Sequence, residues 1–301
     1  LKSIILKFFS KKNLNELYLY FVVLKFNPRI VIGCDLNLKV FLVKKIFPNL
    51  KVIAYQHGYI FSDDVNSFYK KIQNKSVDYY LVYDNKSKLI LKKIFKAKFI
   101  ISGSVKANQF SQFKIKKKYD YDIMYVSNFR PNITSNVYKN QQKDNYNFFS
   151  IISKYCEKKK LSLCIVLSST RKDKIKYNFL NEELKFYKLI TNNFFYNKSF
   201  NSFKLANRSR VVVSTNSNLG IELFYLKKKI LFYNNNKSKY KFYFNKKFRF
   251  IFYKLNKKKV FTKLDNLINM SNNKWNRINS KFIVHNNRNK ILKKIIYSKF
   301  K

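Results

Sequence analysis

Short apolar segments alternate with longer helical patterns along the first part of the chain, and this alternation limits the fold more than any other feature. The strand candidates recur every 20 to 28 residues and are Arg29–Gly33, Lys51–Gln56, Tyr79–Tyr83 and Phe99–Gly103. The interval 37–47 has apolar residues at helical spacing. Continuous apolar strands separated by helices are typical of a parallel sheet covered on both faces. The sequence therefore predicts an α/β domain over residues 1–118.

The same alternation restarts after the basic stretch Lys114–Lys118, which is interpreted as a linker. The second set of strand candidates is Tyr121–Val126, Leu163–Leu167, Arg210–Ser214 and Lys229–Tyr233. Helical patterns lie near 142–158, 202–207 and 219–226, and over the tail 274–300. Two such series predict two Rossmann-like halves across a cleft, with ligands beyond the carboxyl ends of the strands. The predicted domains are 1–118, 119–275 and a helical tail, 276–301.

Charge and composition place few limits on function. The chain carries 64 Lys and Arg against 15 Asp and Glu, a net charge of +49, which on its own suggests a polyanionic partner. Lys, Asn, Ile, Phe and Tyr are all abundant while Gly and Pro are scarce, so we attribute most of the charge to a general compositional bias. With 46% apolar residues the chain can bury a core, which argues against disorder.

The cysteines and the apolar stretches bear on the compartment. Cys34, Cys156 and Cys164 have no C-x-x-C spacing, so neither a disulfide framework nor a zinc site is expected and a reducing cytoplasm is favoured. The longest apolar stretch near the start, Leu17–Leu24, has eight residues, far fewer than the ~20 that span a bilayer. The sequence predicts a cytoplasmic protein that is either soluble or peripheral to a membrane.

All four glycines fall at or just after strand candidates, and they are Gly33, Gly58, Gly103 and Gly220. Glycine is required where φ is positive or where another group approaches the backbone closely. We expect Gly58 and Gly103 to form tight turns at strand ends. Either a ligand or ordinary chain geometry would explain them.

The segment Arg210–Tyr233 carries the strongest candidate site. A predicted buried strand is followed by the small polar run Ser214–Asn218, and a helix begins at about Leu219. Such side chains cap a helix, whose free N–H groups and dipole favour a phosphate. Glu222 lies one turn further on, where a carboxylate can accept hydrogen bonds from ribose hydroxyls. The candidate ligand-binding residues are Ser214, Thr215, Ser217, Asn218, Gly220 and Glu222.

Four segments in order along the chain resemble the GT-B glycosyltransferases. They are Phe26–Gly58 with the motif F-P-N-x-K-V-I-A-Y-Q-H-G-Y, Gly103–Ser104, Tyr121–Pro131, and Arg210–Tyr233 with S-T-x-S-x-L-G-x-E. The chain is most similar to bacterial proteins of capsule and lipopolysaccharide biosynthesis and to the related CDP-glycerol glycerophosphotransferases. The resemblance implies a nucleotide-activated donor on residues 119–275 and an acceptor on residues 1–118. The first half is short for this fold, so one or two strands are expected to precede it.

His57, in Gln56-His57-Gly58, ends a predicted strand and is the candidate catalytic base. An imidazole titrates near neutral pH and can remove a proton from an acceptor hydroxyl. In the glycerophosphotransferases that the chain resembles, the histidine of a similar His-Gly turn is implicated in this role. A hydrogen-bonded histidine that stabilises the turn is the alternative. His285 lies in a polar segment and is interpreted as a surface residue.

The loop Ser127–Arg130 follows the first strand of the second half. In the fold that the chain resembles, this loop lies against the donor phosphates, so Ser127 and Arg130 are candidate donor-binding residues, and Arg130 can pair with a diphosphate through two hydrogen bonds. Asp120 and Asp122 have the D-x-D form of metal-dependent glycosyltransferases, but they precede a strand and so lie at its wrong end. Neither a metal nor another cofactor is expected, and the helix N-terminus would stabilise the leaving phosphate.

Three functions remain open from the sequence. The first is transfer of a sugar, or of a glycerol-phosphate-type group, to a glycan or lipid-linked acceptor. The protein would then be either purely cytoplasmic or peripheral to the anionic inner membrane. A nucleotide-sugar epimerase or hydrolase on the same fold would need further carboxylates, and the aspartates that the first half offers are Asp35, Asp63, Asp64, Asp78 and Asp84. A nucleic-acid-binding protein would use Lys interleaved with Tyr and Phe, but these are spread over the whole chain without a specific nucleic-acid motif.

Overall fold

The computed structural model describes residues 14–60, 68–110, 119–129, 136–168, 179–196, 201–215, 217–235, 248–280 and 290–297. The chain divides into two compact units. Unit 1 comprises residues 1–60, 64–109 and 286–301, and unit 2 comprises residues 61–63 and 110–285. Each unit contains a parallel β-sheet with its own helices.

Unit 1 is built on a four-stranded parallel sheet with the order β1-β2-β3-β4. The strands are β1 (Ile30–Cys34), β2 (Lys51–Tyr55), β3 (Ser76–Val82) and β4 (Lys96–Ile101). The helices are α1 (Leu14–Phe26), α2 (Lys39–Ile46), α3 (Asn85–Leu91) and α4 (Val105–Phe110), with a 3-10 turn at Tyr69–Ile72. Each strand overlaps a predicted one, because its apolar run is long enough to be recognised.

Unit 2 is built on a six-stranded parallel sheet with the order β10-β9-β8-β5-β6-β7. The strands are β5 (Tyr121–Val126), β6 (Leu163–Val166), β7 (Phe195–Tyr196), β8 (Ser209–Ser214), β9 (Ile230–Tyr233) and β10 (Ile251–Phe252). The helices are α5 (Asn136–Lys159), α6 (Leu180–Lys188), α7 (Ser202–Asn207), α8 (Asn218–Tyr225), α9 (Lys257–Asn269) and α10 (Asn272–Asn279). The direction of strand succession reverses between β5 and β8, as in a doubly wound fold.

The central strands of unit 2 are buried on both faces. In β8, Val211, Val212 and Val213 have no exposed surface, and β5 is equally buried from Ile123 to Tyr125. Helices on both faces of a parallel sheet require this uniform apolarity, which is why the strands lack an alternating pattern. The two sheets confirm the predicted α/β class with two Rossmann-like halves.

The helical tail that the sequence predicts over 274–300 is divided between the two units. Helix α10 belongs to unit 2, whereas α11 (Lys290–Tyr297) belongs to unit 1. Ile295 of α11 lies in an apolar cluster with Ile53 of β2 and Leu81 of β3. The last helix therefore covers the first sheet of the chain, a long-range contact that no local pattern reveals.

Gly220 lets helix α8 pack directly against the sheet of unit 2. A Cβ atom at this position would lie 2.5 Å from Oγ and 2.8 Å from Cβ of Ser214, and 3.0 Å from a ring carbon of Phe232. These distances are shorter than side-chain contacts allow, so the site requires glycine. The groups that approach the backbone of Gly220 belong to the protein itself. Ordinary chain geometry, and not a ligand, therefore explains this glycine.

Gly103 turns the chain between β4 and α4 with a φ of +69°, a conformation that favours glycine. Ser104 follows it, and its Oγ accepts a hydrogen bond of 3.0 Å from the N–H of Ala107. The predicted tight turn at Gly103 is thus a capped entry into a helix.

Within the part of the chain that the structure describes, no helix is both long enough and apolar enough to cross a membrane.

Candidate functional site

Asp35 and His57 meet at the carboxyl ends of β1 and β2. These strands are neighbours and run parallel, with Cys34 paired to Tyr55, so the residues that follow them lie side by side. Nδ1 of His57 is 2.8 Å from Oδ1 of Asp35, and the backbone N–H of His57 donates to the same oxygen at 3.1 Å. The Asp35 side chain has no exposed surface, whereas the His57 side chain is 34% exposed.

Two tyrosine hydroxyls hold the other oxygen of Asp35. Tyr69, in the 3-10 turn, donates to Oδ2 at 2.9 Å, and Tyr80 of β3 donates to the same atom. Burial raises the pKa of Tyr80 well above its usual range, and the neighbouring Tyr69 and Asp35 raise it further, so Tyr80 remains a donor. Four donors then fill the roughly four acceptor positions of the carboxylate. Asp35 is therefore a fully bonded buried acid whose position is fixed.

The backbone around His57 is fixed by its neighbour Gln56. The buried side-chain amide of Gln56 donates to the carbonyl oxygen of Gly58 at 2.6 Å, and its oxygen accepts from the N–H of Tyr83 at 3.0 Å. Gln56 thus joins the ends of β2 and β3 and closes the turn that Gly58 was expected to form. The arrangement leaves the imidazole as the part of this turn that reaches the surface.

The hydrogen bond to Asp35 determines the chemistry of the His57 ring. A carboxylate only accepts hydrogen bonds, so Nδ1 is the protonated nitrogen and the neutral ring carries its lone pair on Nε2. A proton taken up at Nε2 creates a positive charge next to the buried Asp35 carboxylate, which stabilises it. His57 is thereby prepared to act as a general base.

In unit 2 the structure brings most of the predicted donor-binding segments to one edge. Val126 of β5 is paired with Ser214 of β8, so the loops that follow these two strands are adjacent at their carboxyl ends. This is also the point at which the strand order reverses, where open α/β sheets bind their ligands. Ser127 and Thr215 are the first residues beyond the two strands.

The hydroxyl of Ser127 is engaged inside the protein. It donates to Oε1 of the buried Glu183 and accepts from the Phe129 N–H at 3.1 Å and from the Tyr187 hydroxyl at 2.7 Å. Ser168, which follows β6, also donates to Oε1 of Glu183, from its N–H at 2.8 Å and from its Oγ at 3.1 Å. Burial, and next the charge of Glu183, raise the pKa of Tyr187. Glu183 therefore organises the loops after β5 and β6.

The other predicted donor-binding residues lie at or near the start of α8. Ser217 occupies the N-cap position with extended backbone, but its side chain makes no capping hydrogen bond, contrary to the capping expected from the sequence. Asn218 is the first helical residue, and Glu222, one turn further on, is only 2% exposed. Ser214 is fully buried and donates to the carbonyl oxygen of Thr215 at 3.1 Å. Arg130, Asn216 and His285 lie outside the described residues.

The comparisons with known proteins agree with this architecture. A family of proteins described as O-antigen biosynthesis proteins matches residues 54–288, well over half of the chain. The chain belongs to this family. The predicted resemblance to surface-carbohydrate biosynthesis proteins is thereby confirmed, whereas the link to CDP-glycerol glycerophosphotransferases stays a prediction. No curated protein sequence matches the chain.

Solved structures that resemble this O-antigen family protein have the same two-unit fold. The UDP-GlcNAc 2-epimerase of Methanocaldococcus jannaschii, in complex with UDP-GlcNAc and UDP, is 15% identical with a TM-score of 0.58, covering 94% of this chain and 80% of the epimerase. Sucrose-phosphate synthase from Thermosynechococcus elongatus is 10% identical with a TM-score of 0.51, covering 93% and 76% of the two chains. At such identities the likeness establishes the fold alone.

The D-x-D sequence of this family member is used in structural contacts at the amino end of β5. Asp122 accepts hydrogen bonds from the N–H of Ser162 at 3.0 Å and from its Oγ at 2.9 Å, and Asp120 pairs with Arg208. Both acids therefore join β5 to neighbouring segments at the edge opposite to the candidate site. Among the described residues, no three His, Cys, Asp or Glu side chains are grouped so that they could hold a metal ion.

Asp35 and Glu183 are the residues whose part in the site the sequence did not reveal. Asp35 stood only among the carboxylates available to an epimerase, and Glu183 was assigned no role. The position of Asp35 directly after β1, next to the strand that ends at His57, was a usable signal. Glu183 lies on α6, 56 residues beyond Ser127, and nothing local indicates their contact.

Proposed function

We propose that this O-antigen family protein transfers a sugar, or a glycerol-phosphate-type group, from a nucleotide-activated donor to a surface-glycan acceptor. The observation that carries the proposal is the buried Asp35 carboxylate, which holds Nδ1 of the partly exposed His57 side chain and leaves Nε2 as the basic nitrogen. A transferase needs one such base, because the acceptor hydroxyl must lose its proton as it attacks. Membership of the O-antigen family supports a surface-glycan acceptor.

The reaction we propose is a displacement with one proton transfer. Nε2 of His57 takes the proton of an acceptor hydroxyl while the oxygen forms a bond to the anomeric carbon of the donor sugar. The bond from that carbon to the phosphate oxygen breaks, and the nucleoside diphosphate leaves with the electron pair. With a glycerol-phosphate-type donor the same oxygen would attack the phosphorus that bears the glycerol. The phosphoanhydride bond would break, and the nucleoside monophosphate would leave with the electron pair. Asp35 stabilises the imidazolium ion, which then returns its proton to water.

On the donor side we propose that the β5–β8 edge of unit 2 receives the nucleotide. Its position at the reversal of strand order and the uncapped start of α8 support this assignment. Ser217 and Asn218 would place backbone N–H groups near the phosphates, with Arg130 as a paired cation, and Glu222 would serve the ribose. Since the hydroxyl of Ser127 is already fully bonded, we propose that Ser127 positions its loop.

A nucleotide-sugar epimerase is the second candidate, because epimerases share the fold. Inversion of a carbon by removal and return of a proton requires two acid–base groups on opposite sides. In the described part of unit 1, Asp78 binds Lys44 and the Val52 N–H, and Asp84 caps α3 through the Ser87 N–H. Asp63 and Asp64 lie outside the described residues. Among the described residues of unit 1, His57 is therefore the group held ready as a base, and this favours transfer.

The first test is a binding screen followed by turnover. Calorimetry with UDP, CDP, GDP and ADP identifies the base, and release of that nucleoside diphosphate from its sugar conjugate is measured with and without a lipid-linked glycan acceptor. We expect release to require the acceptor, and we expect His57→Ala to lower it about 10²–10⁴-fold with unchanged nucleotide affinity. Glu222→Ala should instead weaken nucleotide binding by about 1–3 kcal/mol.

Three results would contradict the proposal. If the protein binds none of the four nucleotides, the proposed use of a nucleotide-activated donor is wrong. Inversion of the sugar without an acceptor identifies an epimerase. If the turnover of His57→Ala is unchanged, His57 is not the catalytic base.

Because surface-glycan acceptors are carried on lipids, we also propose a peripheral position at the inner membrane. A net charge of +49 favours any anionic surface, and each Lys or Arg near it contributes about 1 kcal/mol. The same charge also attracts RNA, so only a dedicated membrane-binding face would keep the protein on anionic vesicles when RNA competes, and we expect this result. Complete displacement by RNA at every salt concentration would reduce the attraction to nonspecific electrostatics.

A further inference from the structure

A small polar pocket lies at the carboxyl edge of the unit 2 sheet, beside the loops after β5, β8 and β9. Its lining residues are Asn128, Gln141, Asp144, Thr215, Tyr233 and Asn235. Each of them has a side chain that can form hydrogen bonds. The space inside is about 10 Å³, which is the room that one water-sized group needs.

Thr215 brings an unused hydroxyl to this pocket. The residue is 4% exposed, and its Oγ1 finds no hydrogen-bond partner among the described residues. Buried hydroxyls are nearly always bonded, because leaving one without a partner forfeits its interaction with water. A partner that comes from outside the chain would explain a buried hydroxyl of this kind.

Asp144, on the third turn of α5, provides the charge of the pocket. Its Oδ1 accepts from the Tyr233 hydroxyl at 3.1 Å and from Nδ2 of Asn235 at 3.0 Å, and its Oδ2 accepts from the same nitrogen at 3.1 Å. A carboxylate has about four acceptor positions, and the described residues supply three hydrogen bonds. Burial raises the pKa of Asp144, although these bonds oppose the rise. A further donor would therefore stabilise the charged form.

The chemistry of the pocket selects its ligand. A carboxylate repels phosphate, and the Tyr233 and Asn235 donors are already directed at Asp144. What the pocket offers is an acceptor position on Asp144 and the Thr215 hydroxyl. A group that donates hydrogen bonds satisfies both, and the small space admits only one such group. Hydroxyl and amino groups meet these conditions.

We propose that this pocket binds one hydroxyl or amino group of the nucleotide-activated donor and so helps to select the donor. The inference rests on the proposed function, since it assumes a nucleotide ligand at the β5–β8 edge. The group has two possible sources, the nucleoside and the transferred sugar. Their shared chemistry is a neutral donor of hydrogen bonds.

The test uses two pocket variants and two matched controls. Thr215→Val keeps the shape of the side chain, and Asp144→Asn keeps an acceptor for Tyr233. The controls are Thr262→Val and Asp265→Asn, on α9 of the same unit, where Thr262 is exposed and donates to the Lys258 carbonyl oxygen and Asp265 accepts from Tyr155. Tyr155 lies eleven residues beyond Asp144 on α5, about 16 Å along the helix.

Affinities for UDP, CDP, GDP and ADP, and for a sugar conjugate of the preferred base, are measured by calorimetry. We expect each pocket variant to weaken binding about tenfold, as for one lost hydrogen bond, and the controls to change nothing. If the pocket variants lose affinity for both the nucleoside diphosphate and its sugar conjugate, the bound group belongs to the nucleoside. If they lose affinity for the conjugate alone, the group belongs to the sugar. Thr215→Val should melt at or above the wild-type temperature, since it removes only an unpartnered hydroxyl.

Two results would overturn the inference, and they are distinguishable. If the wild type binds a nucleotide and both pocket variants bind it and its conjugate with unchanged affinity, the pocket has no role while the proposed function stands. If the wild type binds none of the nucleotides or conjugates, the proposed function fails and the pocket fails with it.

Discussion

The carboxyl ends of the strands include two polar groups that keep unused bonding capacity, whereas Asp78 and Asp122 at the amino ends are bonded within the protein. At the carboxyl ends, Nδ1 of His57 is held by Asp35 while Nε2 keeps its lone pair, and Thr215 Oγ1 has no partner among the described residues. At the amino ends, Asp78 binds Lys44 and the Val52 N–H, and Asp122 binds Ser162 twice.

The amino end of the unit 2 sheet also buries two lysines. Nζ of Lys228 donates to the carbonyl oxygen of Ser209, and Nζ of Lys229 donates to that of Met270, both at 2.8 Å. Burial lowers the pKa of Lys228 to about 8, and the charge of Lys229 contributes to the decrease. These groups are costly to bury and are bonded to the backbone, which indicates a structural role.

This difference separates structural from functional polar groups in a chain whose charge is not informative. A group whose hydrogen bonds are made within the protein stabilises the fold. A group that is held in place but keeps bonding capacity is prepared for a ligand. Changes at the carboxyl ends should therefore alter binding or turnover, and changes at the amino ends should alter stability.

The largest effect is expected for Asp35→Asn. The amide cannot hold His57 in the same tautomer or stabilise its positive charge, so turnover should fall about 10²–10⁴-fold. Release of nucleoside diphosphate in the presence of acceptor measures this change. Nucleotide affinity should stay within about twofold, which also reports that unit 2 remains folded. Turnover close to that of the wild type would show that Asp35 merely stabilises unit 1.

An intermediate effect is expected for Asp122→Ala at the amino end of β5. The change removes the acceptor of two hydrogen bonds from Ser162, so the free energy of unfolding should fall by about 1–3 kcal/mol in urea titrations. Turnover per folded molecule should not change. Loss of turnover without loss of stability would contradict the structural role of Asp122 and would give the D-x-D sequence a catalytic role.

The smallest effect is expected from the pH dependence of Lys228. Because its pKa falls from 10.5 unfolded to about 8 folded, the unfolded chain binds more protons between these values, and stability rises with pH in that window. Above pH 9 the buried Cys156 and Cys164, whose pKa is raised to about 12, oppose the rise as the unfolded thiols ionise. The informative range is therefore pH 8 to 9.

Lys228→Met should remove part of this rise. The free energy of unfolding of the wild type should gain about 1 kcal/mol more than that of the variant between pH 8 and pH 9. Urea titrations at the two pH values measure the difference. Parallel profiles for the two proteins would mean that Lys228 is not buried as an ammonium group.

The sequence allowed the sheet strands to be predicted wherever burial leaves an uninterrupted apolar run. Strand β5 and helix α7 have the predicted limits, and the other long strands differ by one to three residues at their ends. The two-residue strands β7 and β10 were not predicted, because a pair of residues has no periodicity. Strand β3 begins at Ser76, before its apolar run, since Ser76 pairs with Lys96 of β4.

The α/β class, the two βα series and the residues that follow each strand could be inferred from the sequence, because they depend on local patterns of burial and turn chemistry. Which strand ends are neighbours became known from the three-dimensional fold. The fold joins Asp35 to His57, Glu183 to Ser127 and α11 to the first sheet. Contacts between distant residues depend on strand order and on the packing of side chains, and neither is encoded within any one segment.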